Sequence, residues 1–430
     1  MSLLDKDSKF PRNTLRSHTS PITSLEFVKI PISTTKKTIT LQNDSNSMIL
    51  KPFLLSSDET GKMILWDLTI LRPVRQIQAH SSQILTIRQL GIRDDVVDSN
   101  YFGLVLTHGR DHSIKFWRLF NENGTIELVE VSELPVNALN FSNVDVFDDL
   151  LITPNTMNSN AFDIYDVNFI SQQDKLDETK LKRLFEAGDV YQVAVDTNFS
   201  KFDEFNVQRE NTDDGVDRVD KFGIIMKLLF VSNDIVFIGY ESGHVASIRL
   251  NFQSKTFEIL TITNHHFPNP VLSLTYDRFN STVLSTSVDF NLVVHDINAR
   301  SSNVIKVENF GKISGVCCLE DRYVLSSWNG YIRFYKLNSD KSDLVYLSNF
   351  KKPKGLLAGD LNVIGNINDD AGLSKDKGKI VKPNSLALTA RKEIDESFKK
   401  LLNRRDVKVI ENSYLAVGYD DGTITLYNDL

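Results

Sequence analysis

Cysteine is nearly absent from this sequence: 430 residues carry two, Cys317 and Cys318, side by side. Adjacent cysteines meet the geometry of a relaxed disulfide poorly. The pair reads as two small half-buried side chains in a strand, and nothing calls for an oxidising compartment. Long apolar runs are missing too. The longest, FGIIMKLLFV, carries a lysine and falls short of the ~18 residues that suggest a membrane helix. The opening MSLLDKDSKF lacks the apolar centre of a signal peptide. A soluble intracellular protein without membrane contact is expected. Positive charge is in deficit, with a formal net charge of −7, which disfavours direct nucleic-acid binding. Glycine and proline, at 20 and 11, are too few for a disordered or fibrous chain.

Site signatures are missing as well. There is no GxxxxGK[ST] phosphate loop and no HExxH zinc helix. His265-His266 has no third ligand nearby, and the acids of NTDDGVD do not take EF-hand spacing. No metal, cofactor or catalytic set is expected.

What is present is a repeat. The closing stretch YLAVGYDDGTITLY is an apolar strand, a turn with Asp and Gly, and an alternating strand closed by an aromatic. The same grammar recurs in FLLSSDETGKMILWDL (53–68), FGLVLTHGRDHSIKFWRL (102–119), IVFIGYESGHVASIRL (235–250), TVLSTSVDFNLVVHDI (282–297) and YVLSSWNGYIRFYKL (323–337), with a degenerate copy, LLITPNTMNSNAFDIYDV, at 150–167. A further short strand leads most copies, beginning at Ile22, Ile84, Val136, Ile224, Val271 and Ile313; the seventh copy offers NSLALT from Asn384 or VKVI from Val407. His18 and His80 stand four residues before their leading strands, and His266 five before Val271.

Histidine, strand, strand, turn and closing Trp is the order of a WD40 repeat of ~40–45 residues. The closing positions are Trp66, Trp117, Tyr165, Ile248, His295, Tyr335 and Tyr427. The expected fold is all-β: a seven-bladed WD40 propeller over 11–430, with four strands per blade. In such a ring each sheet buries both faces only against its neighbours. The strand at Tyr427 has no room after it for an outer partner, so Asn13–Ser17 is expected to pair with TITLY and close the ring.

TLRSHTSPITSLEF, GRDHSIKFW and GYDDGTITLY carry the likeness to WD40 propellers. With the GYESGHV turn and the long insertions after blades 3 and 6, the chain more narrowly resembles the fungal ASTRA-associated WD-repeat family, related to G-protein-β-subunit-like proteins. That resemblance implies a non-enzymatic scaffold or adaptor linked to chromatin remodelling. It also implies large protein partners: ASTRA subunits and a Tel2–Tti1–Tti2-type co-chaperone that matures phosphatidylinositol-3-kinase-related kinases. It implies a monomeric propeller within a hetero-complex, located in the nucleus and also the cytoplasm. The alternative is a substrate-recognition module of a ubiquitin ligase or another peptide-reading propeller.

Within the second blade His80, Thr107, Asp111 and Trp117 are expected to form one buried polar chain. It is read as structural, although His80, Asp111 and Thr107 superficially suggest a triad. The other blades look degraded. Six residues before each closing position stand Thr60, Asp111, Ser159, Ser242, Asp289, Asn329 and Asp421, and Asp58 lies two residues out of step. Beside the same turns lie Arg110, Glu241, Val288, Trp328 and Asp420, on the face WD40 proteins most often use for binding; Trp328 is a candidate anchor. The insertion at 168–222 is acidic, with KLDETKLKRLFEAG expected as a helix stopped at Gly188. The insertion at 352–411 carries ARKEIDESFKKLLNRRD, expected as an amphipathic helix over 390–405 with Ile394, Phe398, Leu401 and Leu402 on one stripe. A third insertion, PISTTKKTITLQNDSNSMILK, extends blade 1.

Overall fold

Alternating apolar residues separated by Asp/Gly turns make hairpins, and here the hairpins join into seven four-stranded antiparallel sheets. The computed structural model describes residues 11–31, 49–93, 96–97, 103–122, 125–137, 141–171, 182–199, 222–340, 342–352, 380–400 and 402–428. From inner to outer strand, blade 1 is Ile22–Pro31, Leu50–Asp58, Lys62–Asp67 and Arg72–Gln78, and blade 2 is Ile84–Gln89, Leu104–Gly109, Ser113–Glu122 and Thr125–Pro135. Blades 3 to 6 follow the same order, their inner strands being Asp145–Phe147, Ile225–Phe230, Val271–Asp277 and Ile313–Leu319. Blade 7 takes Pro383–Thr389, Tyr414–Tyr419 and Thr423–Asn428 from the chain's end and Asn13–Arg16 from its start. Asn13 lies opposite Leu426 and Arg16 opposite Thr423, so the expected ring closure is made by these pairs.

The apolar core is divided among the interfaces between blades. One buried cluster joins Leu15, Ile424 and Leu426 of blade 7 to Ile22, Leu54 and Trp66 of blade 1. Another joins Phe334 and Phe350 of blade 6 to Leu415, Val417 and Tyr427 of blade 7. Each remaining pair of neighbours shares such a cluster, so no blade has a self-contained core. Side-chain amides stitch the inner strands. Gln89 accepts from Lys29 N–H at 2.7 Å and donates to Lys29 C=O at 2.8 Å. Asn143 does the same to Leu228, at 2.9 and 2.8 Å. Each amide stands in for a neighbouring strand where the blades diverge.

Several expectations are corrected. The inner strand of blade 3 is Asp145–Phe147 rather than a segment from Val136, because Val136 is already buried against blade 2 after the long strand Thr125–Pro135. Of the segment expected as a helix ending at Gly188, 175–181 lies outside the described residues and the rest is instead the outer strand Lys182–Gly188, paired with Phe162–Asp166. The edge of the blade offers it a ladder that local helix propensity cannot match. The helix comes later, at Val190–Asp196, with Asp189 as its N-cap. The helix expected over 390–405 is broken into Glu396–Lys399 and Arg404–Ile410. Asn403 interrupts it by capping the second helix through its side chain. Val407, one of the two candidate starts for the last inner strand, therefore lies in a helix, and that strand contains Asn384. Leu401, much of the acidic loop (200–221), most of the blade 1 insertion (32–48) and residues 353–379 lie outside the described residues.

These changes divide both long insertions. The outer strand of blade 3 splits 168–222, and the inner strand of blade 7 splits 352–411. Antiparallel strands reverse direction at each step. The connections that follow Phe162–Asp166 and Pro383–Thr389 therefore start on one face of the ring, and those that follow Lys182–Gly188 and Leu344–Lys351 on the other.

Candidate protein-interaction surface

Turns between second and third strands share one face, here called the upper face, with the connections between blades. Backbone bonds tie several of these turns to the start of their own inner strand. Arg110 N–H donates to Gln83 C=O at 2.8 Å, Glu241 to Ile224 at 3.0 Å, Trp328 to Lys312 at 3.1 Å and Asp420 to Lys382 at 3.0 Å.

Below this face lie the polar chains. In blade 2 Trp117 Nε1 donates to Thr107 Oγ1 at 2.8 Å, Thr107 Oγ1 lies 2.7 Å from His80 Nε2, and His80 Nδ1 lies 2.8 Å from Asp111. An indole can only donate. The hydroxyl proton is thus left for Nε2, and Nδ1–H for the carboxylate. Burial lowers the His80 pKa, partly offset by Asp111. Burial alone would raise Asp111, but hydrogen bonds from Ser81 N–H and His80 hold it below the usual carboxylate range. Thr107 and His80 are buried, and Thr107 Oγ1 accepts from the indole, so each member of the chain is partnered within the blade.

The expectation that the other blades are degraded is wrong in two of them. In blade 1 His18 Nδ1 lies 2.7 Å from Asp58 Oδ2, His18 Nε2 2.7 Å from Ser56, and Trp66 Nε1 2.8 Å from Ser56. Asp58 succeeds out of step because its other oxygen accepts from Thr60 N–H and Lys62 N–H, so the carboxylate both makes the turn and meets the histidine. In blade 5 His266 Nδ1 lies 2.8 Å from Asp289, and His266 Nε2 2.9 Å from Ser285. Ser285 is also 2.8 Å from His295 Nε2. His295 there takes the place of the indole, and burial drives its pKa down to about 3. In blade 7 Lys352 replaces the histidine, bonding Asp421 and Thr423 and lying 4.6 Å from the centre of the Tyr419 ring.

The upper face itself is set with exposed apolar side chains: Phe141, Met157, Phe267, Phe290, Trp328 and Ile380. Trp328 is 43 % exposed, and Lys382 Nζ lies 5.4 Å from its ring centre. Arg110 is half-buried with its guanidinium 4.2 Å from the centre of the Phe141 ring. Glu241, Val288 and Asp420 are also half-buried beside their turns. Glu241 and Asp420 accept backbone bonds from Ile224 N–H and Lys382 N–H. These two carboxylates are tied into the loops, leaving the aromatic–cation pairs as the exposed chemistry. The phenylalanines were not singled out from the sequence, because nothing local marks a loop aromatic as exposed.

A second feature absent from the sequence reading lies on the inner strands of blades 1 to 4. Arg88 sits 3.3 Å from Glu26 and 3.5 Å from Asp145, and Asp145 accepts from Phe230 N–H at 2.8 Å. Burial raises the pKa of both acids. Burial and the nearby Arg88 lower Lys227 to about 8.

Comparison with known proteins places this architecture. The structure of Sqt1 from Saccharomyces cerevisiae superposes with a TM-score of 0.56 at 9 % identity, covering 98 % of this chain and 99 % of that one; this likeness is one of fold. ASTRA-associated protein 1 of Komagataella phaffii is 27 % identical, with 96 % of each chain covered. Its counterpart in Zygosaccharomyces rouxii is 27 % identical over 97 % of this chain and 98 % of its own, and that of Scheffersomyces stipitis 29 % over 88 % and 93 %. The family model for ASTRA-associated protein 1 matches residues 11–427, nearly the whole propeller, and the chain belongs to that family.

Proposed function

We propose that the protein is a non-catalytic scaffold or adaptor subunit of an ASTRA-type assembly, linked to chromatin remodelling and to co-chaperone-assisted maturation of phosphatidylinositol-3-kinase-related kinases. The observation that carries the scaffold reading is the upper face, where aromatic side chains paired with cations stand exposed on loops pinned by backbone bonds. Rigid aromatic anchors are what a protein interface uses at its centre. The histidine–carboxylate pairs are consumed within blades, which supports a non-enzymatic role. The names of the relatives support association with ASTRA, and the family resemblance supports Tel2–Tti1–Tti2-type co-chaperone partners and a nuclear location with a cytoplasmic pool. Affinity purification of the tagged native protein, with partners identified by mass spectrometry, tests the reading. Recovery of co-chaperone and ASTRA subunits, lost on a combined Trp328→Ala and Phe290→Ala change in a protein of unchanged melting temperature, is the expected result. Recovery of ligase subunits would favour the peptide-reading alternative, to which the exposed Trp328 also lends itself.

A further inference from the structure

The opposite, lower face carries a pocket at the seam where the ring closes. Its volume is about 240 Å³, more than the ~150 Å³ that accepts a benzene-sized molecule. Leu68 and Leu71 of blade 1, Val409 of the helix Arg404–Ile410, and Leu426 form its apolar lining. Arg12, Arg405 and Lys408 stand around it, all three exposed, and no acidic side chain lines it. The one acid in that helix, Asp406, is not among the lining residues; its carboxylate is taken up by Lys51 at 2.8 Å and by the hydroxyl of Thr69, which does line the pocket, at 2.8 Å. Among the described residues Arg12, Arg405 and Lys408 make no ion pair. Three cations that no described acid pairs with stand around an apolar hole on a chain of net charge −7, and they favour an apolar ligand flanked by negative charge.

We propose that this seam pocket binds a short acidic peptide segment of a partner protein, with one large apolar side chain in the hole and flanking carboxylates on Arg12, Arg405 and Lys408. Apolar burial supplies an anchor of the kind that dominates interfaces. The rim cations supply orientation and the on-rate, and make binding weaken with salt. Arg12 precedes the N-terminal outer strand, Leu426 lies in the C-terminal strand it pairs with, and Leu68 and Leu71 belong to the next blade. A ligand here touches both ends of the chain at once. It binds the closed ring and not the opened one, so it also stabilises the fold by mass action. The site is separate from the upper face, and its failure leaves the scaffold reading standing.

The test uses the full-length protein and two labelled eight-residue peptides, both carrying six glutamates, one with central Leu-Phe and one with central Ala-Ala. Fluorescence anisotropy should show the Leu-Phe peptide binding at least about tenfold more tightly than the Ala-Ala peptide, with affinity falling as salt rises. A double Arg405→Glu, Lys408→Glu variant, both sites being exposed helix surface, should keep its melting temperature and lose about tenfold or more in affinity. The same peptide should raise the melting temperature of the native protein in proportion to the logarithm of its concentration. Equal binding of the two peptides would show attraction by charge alone and overturn the pocket. Binding unaffected by the double charge reversal, or none at millimolar peptide, would overturn the proposal outright.

Discussion

Leu15 offers the sharpest test of how the ring is held. It sits in a four-residue strand at the far end of the sequence from its partner, is 3 % exposed, and packs among residues of blades 7 and 1. Leu15→Ala removes that packing in the blade whose strands come from both ends of the sequence, so that Asn13–Arg16 is held to Thr423–Asn428 by pairing and packing alone. Buried Leu→Ala changes cost ~2–5 kcal/mol. A cooperative unit of roughly 400 residues has an unfolding entropy of about 0.8 kcal/mol/K, so the melting temperature should fall by roughly 3–6 °C. Val345→Ala, on the outer strand of blade 6 and 50 % exposed, should move it by under about 1 °C. Calorimetry distinguishes two outcomes. If the seam holds the whole ring, Leu15→Ala melts in one transition displaced as a unit, and amide protection falls together in Thr423–Asn428 and in blade 1. A main transition left in place, preceded by a small separate one, would show the N-terminal strand to be peripheral and refute the argument.

Other consequences follow from the polar chains and buried charges. A Cβ on Gly109 would lie 2.3 Å from His80 Nδ1 and 2.4 Å from Asp111 Oδ1, so Gly109→Ala should destabilise by ~2–4 kcal/mol by forcing that pair apart; an unchanged urea midpoint would refute it. His108 and His295 are buried with pKa values lowered to about 3, so the unfolded chain binds protons more readily. Each should therefore cost about 1.6 kcal/mol of stability as pH falls from 6.5 to 5, a loss that Glu26 and Asp145, shifted the opposite way, offset in part. A flat stability profile across that range would contradict their burial as neutral rings. Lys227, lowered to about 8, should react with a small acylating reagent at pH 8 ahead of surface lysines, read by peptide mass spectrometry; labelling at the common rate would show it solvated or paired. Lys352→Met should return the Asp421 carboxyl, now held down by that lysine against burial, toward higher pKa in a carboxyl titration, and its staying low would place the cause elsewhere.

Part of this molecule is written in local chemistry. Alternation with period two, Asp/Gly turns and repeat spacing determined the number of blades, most of their strands, the pairing of the two chain ends, and the polar chain of His80, Thr107, Asp111 and Trp117. Those features rest on each residue's own neighbours and on a recurring offset. The tertiary structure decided what depends on an edge offered from far away. Lys182–Gly188 became a strand because blade 3 presented an open ladder, and Asn403 split the expected helix where its second half had to pack Val409 and Ile410 at the seam. Asp58 entered a polar chain two residues out of step because its carboxylate could serve both turn and histidine. Lys352 reached Asp421 across 69 residues of sequence. The two faces, and the pocket where Arg12 meets Arg405 and Lys408, exist only once the ring is closed, since closure alone brings the start and end of the chain to one surface.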